Sequence, residues 1–229
     1  MPIMLSAIRK TGKSKSQVSA PIELFVAVII LALTLSIGWS VINTTSQAKC
    51  EAKLKTQTQN LKNAMLDVAL GSSGTSRTVY FQFPSCGSQQ TIGLQFVLYQ
   101  KPEYCRLCTG TYGYCWQVVP IAKDPASPGK FVQISNAISC VNMAGDIQIS
   151  RDAADAQCVE LSSKPCLNEN NCNAADYGIS REVLDNSRWS TLSGERSSAF
   201  DIVLTKKTVL GTNGEEQGSI EVCAKKKTG

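Results

Sequence analysis

Residues 13–42 read KSKSQVSAPIELFVAVIILALTLSIGWSVI, a polar and basic start followed by a long apolar run. From Pro21 to Ile42 the only charged residue is Glu23. At a helical rise of 1.5 Å per residue this run extends roughly 33 Å, enough to cross a bilayer core of about 30 Å. The stretch therefore predicts a transmembrane helix that carries one carboxylate near its start.

The positive charge of the chain is concentrated before this apolar run. Residues 1–16 hold no acidic residue and four basic ones, Arg9, Lys10, Lys13 and Lys15. The formal net charge is +5, and removing residues 1–16 leaves 19 basic against 18 acidic residues. A basic flank predicts a cytoplasmic N-terminus, with everything after residue 43 outside the cell. The charge is thus a topology signal, and no nucleic-acid partner is expected.

The helix is predicted to continue beyond the apolar run. Residues 43–70 are polar but keep an apolar stripe made of Cys50, Leu54, Leu61, Met65 and Val68. These spacings put the stripe on one helical face. We therefore expect one helix from about Pro21 to Leu70, whose second half needs a partner surface.

After a turn at 71–76 the apolar pattern alternates with period two. Such runs occur at 79–83, 94–99, 116–121, 131–134, 147–149, 200–204 and 220–223. They predict a mainly antiparallel sheet, with one short helical turn around 181–184. The predicted fold class is α+β, in which a long N-terminal helix packs on a β-rich, disulfide-stapled head. The predicted divisions are a leader (1–16), the helix (17–70, with its transmembrane segment at 21–42) and the head (77–229).

Ten cysteines lie on the predicted outer side of the membrane, and the even number predicts a disulfide framework. They are Cys50, Cys86, Cys105, Cys108, Cys115, Cys140, Cys158, Cys166, Cys172 and Cys223. Cys50 lies on the helix stripe, so we expect it to bridge to a head cysteine. An intermolecular bond or a local partner such as Cys86 is the alternative.

The spacing of Cys105 and Cys108 is also found in zinc and redox sites. A structural zinc site needs four ligands, but the chain has no second such pair and no histidine. A redox pair begins a helix after a strand, whereas this pair lies in a turn rich in glycine and tyrosine. Disulfides are therefore the favoured interpretation, with no metal and no cofactor.

Two further motifs lie outside the cysteine framework. Aromatic residues cluster around the 99–116 loop, either as a binding or adhesive surface or as the cover of a disulfide-rich core; they are Tyr99, Tyr104, Tyr112, Tyr114 and Trp116. Asn43 begins a glycosylation sequon at the membrane exit. No catalytic residue is nominated, because the chain lacks histidine and the common nucleophile and phosphate-binding motifs. An enzyme is not expected.

The leader and the apolar run carry a family resemblance. Lys15-Ser16-Gln17-Val18-Ser19, with Ile22-Glu23-Leu24 and the apolar run, resembles the class III signal peptide of type IV pilins, particularly archaeal ones. The resemblance covers about residues 13–42, and the head matches only in general architecture. It implies that a membrane peptidase removes the leader, with Lys15, Ser16 and Gln17 at the processing site. A cut between Ser16 and Gln17 makes Glu23 the seventh mature residue, whereas a cut after Val18 gives the fifth position that is frequent in the family.

The same resemblance implies a function and partners. The chain would be made as a membrane precursor and assembled by pilus machinery into an extracellular helical filament of identical subunits. Glu23 would pair with the α-amino group of a neighbouring subunit and set their register, or it would lie at headgroup level and reach water. An uncleaved anchor holding a binding or adhesion domain that does not polymerise fits the hydropathy equally well, whereas the apolar run is too long for a cleaved secretory signal, although Ser46 and Ala48 weakly resemble its cleavage site.

Overall fold

The computed structural model describes residues 19–227, apart from 87–88, 106–107, 109–112, 144–147, 151–156, 168–171, 196 and 211–215. The chain forms two compact units, residues 1–45 and residues 46–229. The predicted α+β class is confirmed, because a long N-terminal helix is followed by antiparallel sheets stapled by disulfides.

The long helix, α1, comprises Ser19–Leu70 and so begins two residues before the predicted start. Pro21 lies in its first turn, where a missing backbone N–H costs nothing. At the other end, the Gly71 amide donates to the Asp67 carbonyl at 3.0 Å. Gly74 then adopts a φ of +87°, a left-handed conformation that favours glycine and turns the chain toward the first strand.

The described residues after α1 form eleven strands and one further α-helix. The elements are β1 (Ser76–Gln82), β2 (Ser85–Cys86), β3 (Gln89–Tyr99), β4 (Cys115–Lys123), β5 (Phe131–Gln133), β6 (Ser139–Val141), β7 (Gln148–Ser150), β8 (Cys158–Val159), α2 (Arg181–Asp185), β9 (Ser187–Ser193), β10 (Ala199–Leu210) and β11 (Glu216–Lys226). Short 3-10 turns lie at Pro102–Tyr104, Ser135–Ala137 and Ala174–Tyr177.

The strands form two sheets. The first has the order β1-β10-β11-β7, and β8 also pairs with β11. The second has the order β2-β3-β4-β5, with β9 beside β3 and β6 beside β4. Among the described strands, β7 and β11 form the one parallel pair. The prediction of a mainly antiparallel arrangement is therefore confirmed.

The larger core joins both sheets to the second half of α1. Four residues of the predicted helix stripe are completely buried there, namely Leu54, Leu61, Met65 and Val68. The first sheet contributes Phe81, Phe200, Ile202, Leu204, Ile220 and Val222, and the second contributes Leu94, Phe96, Trp116, Val118 and Leu192. Burying each large apolar side chain contributes about 1.5–3 kcal/mol, so the stripe holds this part of the helix on the sheets.

A second, smaller core covers the opposite face of the second sheet. Successive strand residues point to opposite faces. Phe96 and Val118 therefore lie in the larger core, whereas Val97 and Val119 lie in the smaller one. Three disulfides lie in this second layer: Cys105–Cys115 and Cys108–Cys140 join the loop after β3 to β4 and β6, and Cys166–Cys172 closes a loop on itself. A fourth, Cys158–Cys223, joins β8 to β11.

A lysine of the head satisfies the carbonyl end of α1. The Lys206 ammonium, on β10, donates to the carbonyl oxygens of Ala69 and Gly71, each at 2.7 Å. The last carbonyls of a helix have no intrahelical donors and carry partial negative charge. Lys206 therefore compensates this end of the helix both by hydrogen bonding and by charge.

We expect Lys206→Met to lower the free energy of unfolding of the head by about 1.5–3 kcal/mol, the usual worth of hydrogen bonds to a charged group. Lys55→Met, at an exposed position of α1, is the matched control and should leave stability unchanged. Chemical denaturation followed by circular dichroism measures both. Equal midpoints for the two variants would show that the cap contributes nothing.

Candidate assembly helix and surface cavity

The apolar part of α1 is exposed in the part of the chain that the structure describes. Every large apolar side chain from Ile22 to Ile42 is exposed, with exposed fractions between 43% at Ile29 and 70% at Trp39. So large a contiguous apolar surface marks contact with lipid or with another protein. Within it, the Thr34 hydroxyl is satisfied locally, since it donates to the Leu31 carbonyl at 2.9 Å. This local bond suits a water-poor environment.

In the part of the chain that the structure describes, one helix is long and apolar enough to cross a membrane, and it covers Ile22–Leu70. A membrane anchor and a signal sequence share these features. The segment therefore indicates one or the other.

Glu23 is exposed on α1, five residues into the helix. The structure shows no hydrogen bond or ion pair from Glu23 to any residue that it describes. Asn43 is also exposed on α1, at the end of the apolar run. The predicted processing residues, Lys15, Ser16 and Gln17, lie outside the described residues.

The cysteine pairing separates the two members of the CxxC motif. Cys105 is bonded to Cys115 and Cys108 to Cys140, so each closes a different loop. The described residues contain no group of three or more metal-ligating side chains.

Cys50 is also disulfide-bonded. Its partner is not among the eight cysteines of the four bridges above, and the side chain of the predicted local alternative, Cys86, lies outside the described residues. Whether Cys50 ties the helix to the head therefore stays a prediction.

A cavity of about 650 Å³ opens beside the smaller core. The end of β3, the turn at Pro102–Tyr104, β5, and the segment from Tyr177 to α2 form its walls. Its lining contains four aromatic rings and no charged residue: Tyr99, Tyr104, Phe131, Val132, Gln133, Tyr177, Gly178, Ile179, Ser180 and Val183.

Ring contacts fix the aromatic wall of this cavity. Phe131 and Tyr177 stack with their centroids 4.5 Å apart, and the centroids of Tyr99 and Tyr104 are 6.4 Å apart. Behind them, Trp189 packs edge-on against Tyr99 at 6.0 Å. The Tyr177 hydroxyl accepts a hydrogen bond from the Leu167 amide at 2.9 Å. These contacts hold the rings in place before any ligand arrives.

The phenols of the cavity are neutral at ordinary pH. Loss of hydration raises the pKa of Tyr99 and of Tyr177. The same cause, reinforced by the nearby carboxylates of Glu182 and Glu103, raises the pKa of Tyr104 to about 12. Each hydroxyl therefore remains both a donor and an acceptor.

The predicted aromatic cluster is only partly brought together. Tyr99 and Tyr104 line the cavity, whereas Trp116 lies in the larger core on the other face of the sheet. Tyr114 is half-buried away from the lining, and Tyr112 lies outside the described residues. Sequence reasoning missed Phe131, Gln133 and Tyr177. The available signal was a lone aromatic residue in the long loop just after Cys172.

A long apolar N-terminal helix with a disulfide-rich antiparallel head is compatible with a pilin-like fold. Comparison of the chain with protein families, with curated proteins and with solved structures finds no match.

Proposed function

We propose that the protein is a structural subunit of a type IV pilus-like extracellular filament and polymerises through its N-terminal helix. It would be inserted as a membrane precursor, trimmed by a prepilin peptidase and assembled by pilus machinery. No enzymatic activity is part of this proposal. The main observation in its support is the contrast within α1. Residues 22–42 are exposed and apolar, whereas the stripe from Leu54 to Val68 is buried in the head.

This contrast favours retention of the apolar segment in the mature protein. A secretory cut near Ser46–Ala48 would fall inside α1, which continues to Leu70. Retention leaves two ways to cover the apolar surface, lipid or the helices of other subunits. The proposed removal of the leader favours cover by the helices of other subunits, because a simple membrane anchor does not need its leader to be removed.

Mass spectrometry of the N-terminus tests the proposal. We expect protein from sheared extracellular filaments to lack residues 1–16 and to retain residues 21–42. An intact N-terminus in every fraction would instead indicate a membrane-tethered ectodomain that does not polymerise. Loss of residues 21–42 would indicate a secretory signal.

Glu23→Ala should lower filament yield by roughly tenfold or more, because an unpaired charge in a water-poor helix bundle costs more than the 1.4 kcal/mol of one tenfold step. The α-amino group of the neighbouring subunit would lose its partner. Shearing and quantitative immunoblotting measure the yield.

Membrane accumulation and leader removal should be unchanged in Glu23→Ala. Glu160→Ala removes an exposed carboxylate of the head and is the matched control. Normal filament yield from Glu23→Ala would remove the role of Glu23 in subunit register.

A further inference from the structure

We propose that the cavity between β5 and α2 binds a neutral saccharide. The proposal is independent of filament assembly, because it concerns only the head. It rests on three features of the cavity: the aromatic wall, the absence of charge in the lining, and the covered edge of β5.

The aromatic wall matches the chemistry of a pyranose ring. A sugar ring has an apolar C–H face and a rim of hydroxyl groups that both donate and accept hydrogen bonds. Tyr104 and the Phe131–Tyr177 pair supply flat apolar surface at the cavity. The Gln133 amide and the Ser180 hydroxyl supply polar groups beside it. Apolar lining with a few convergent polar groups is typical of ligand sites, and the volume lies within their usual range.

The electrostatics favour a neutral ligand over an ion. None of the ten lining residues is charged. Two carboxylates beside the cavity, Glu103 and Glu182, share Lys101 at 3.7 and 3.5 Å, and Asp176 lies near Tyr177. The Lys101 ammonium also lies 5.8 Å from the centroid of the Tyr104 ring. A ligand cation would therefore compete with Lys101 for the Tyr104 ring.

The edge of β5 does not favour a peptide added as a strand. The turn at Ala174–Tyr177 packs against β5, and Tyr177 stacks on Phe131 at that edge. Backbone pairing, which supplies much of the affinity in strand addition, has little room there. A ligand of this cavity would therefore be recognised mainly through side chains, and a saccharide can be bound in this way.

The test uses the full chain in phosphatidylglycerol nanodiscs, which avoid the sugar headgroups of common detergents. The probes are cellohexaose, maltohexaose, chitohexaose and mannohexaose at millimolar concentration. Decaproline represents a peptide ligand and tetramethylammonium represents a cation. Saturation-transfer NMR detects binding, and the fluorescence of Trp189, which packs on Tyr99, gives the affinity. We expect at least one hexaose to bind.

Tyr104→Ala and Gln133→Ala should each weaken that binding about tenfold or more, with the thermal midpoint retained. The matched control is Tyr80→Ala, which removes a 46% exposed tyrosine of the first sheet that contacts Lys227. It should bind like the wild type. If Tyr104→Ala fails to fold, Tyr104→Leu replaces it, because leucine keeps apolar volume but lacks the ring face.

Three outcomes would overturn the proposal. One is that no hexaose binds the folded wild-type chain. Another is that the Tyr104 and Gln133 variants bind as tightly as Tyr80→Ala. The third is that decaproline or tetramethylammonium binds where no hexaose does.

Discussion

Replacing Leu31 and Leu35 together by lysine is expected to release the protein from the membrane. Both side chains lie one helical turn apart near the middle of the apolar segment, and both are exposed. Each lysine at the centre of a membrane helix costs about 2.5–3.5 kcal/mol of insertion free energy, so the pair costs about 5–7 kcal/mol. No shift in the folding of the head is expected, because among the described residues its larger core begins at Leu54.

Carbonate extraction of membranes, followed by immunoblotting of pellet and supernatant, measures this effect. The control is Leu70→Lys, which introduces one lysine at an 86% exposed leucine of the same helix, outside the apolar segment. We expect the control to remain in the pellet and the Leu31→Lys, Leu35→Lys variant to leave it. Equal retention of both would show that the segment 22–42 does not hold the protein in the membrane.

The sequence predicts the fold well where one period of hydropathy dominates. The helix stripe through Leu61 and Met65 lies in the core as expected. The alternating runs at 79–83 and 94–99 correspond to β1 with the residue that follows it and to β3. In β1, burial on a single face leaves a clear pattern in the side chains, whereas β3 is buried on both faces and is marked by its many apolar residues.

Strand β9 shows why other elements were missed. Ser187–Ser193 contains only two large apolar side chains, Trp189 and Leu192, and they lie in different cores. Its Ser190 and Thr191 are buried, and Thr191 donates to the Lys164 carbonyl at 2.7 Å. A strand covered on both faces, with buried polar groups satisfied by a loop, has neither alternation nor a continuous apolar run.

The cavity was even less predictable, because its residues come from four separate segments. Tyr99 and Tyr177 are far apart in the sequence, and only the fold brings them to the same cavity. Consecutive residues of a strand, in contrast, point to opposite faces of the sheet. Cys115 lies in the smaller core, whereas Trp116 lies in the larger one. Proximity in the sequence therefore pointed to Trp116, whereas proximity in space selects Phe131 and Tyr177.

The second half of α1 is a structural part of the head if its buried stripe contributes to folding. Leu61→Ala tests this, and we expect it to lower the free energy of unfolding by about 2–5 kcal/mol. This is the usual cost of a buried cavity left by a truncated leucine. Leu61 is completely buried in the larger core, so little water can enter to relieve the loss. With total stabilities of about 5–15 kcal/mol, such a loss is large.

Leu70→Ala is the matched control, because it makes the same truncation on the same helix at an exposed position. Unfolding in guanidinium chloride, followed by the fluorescence of the buried Trp116 and Trp189, reports the head. A Trp39→Phe background removes the exposed tryptophan of the apolar segment. Equal midpoints for Leu61→Ala and Leu70→Ala would mean that the helix is only a tether. A lower midpoint for Leu61→Ala alone would mean that the second half of α1 folds as part of the head.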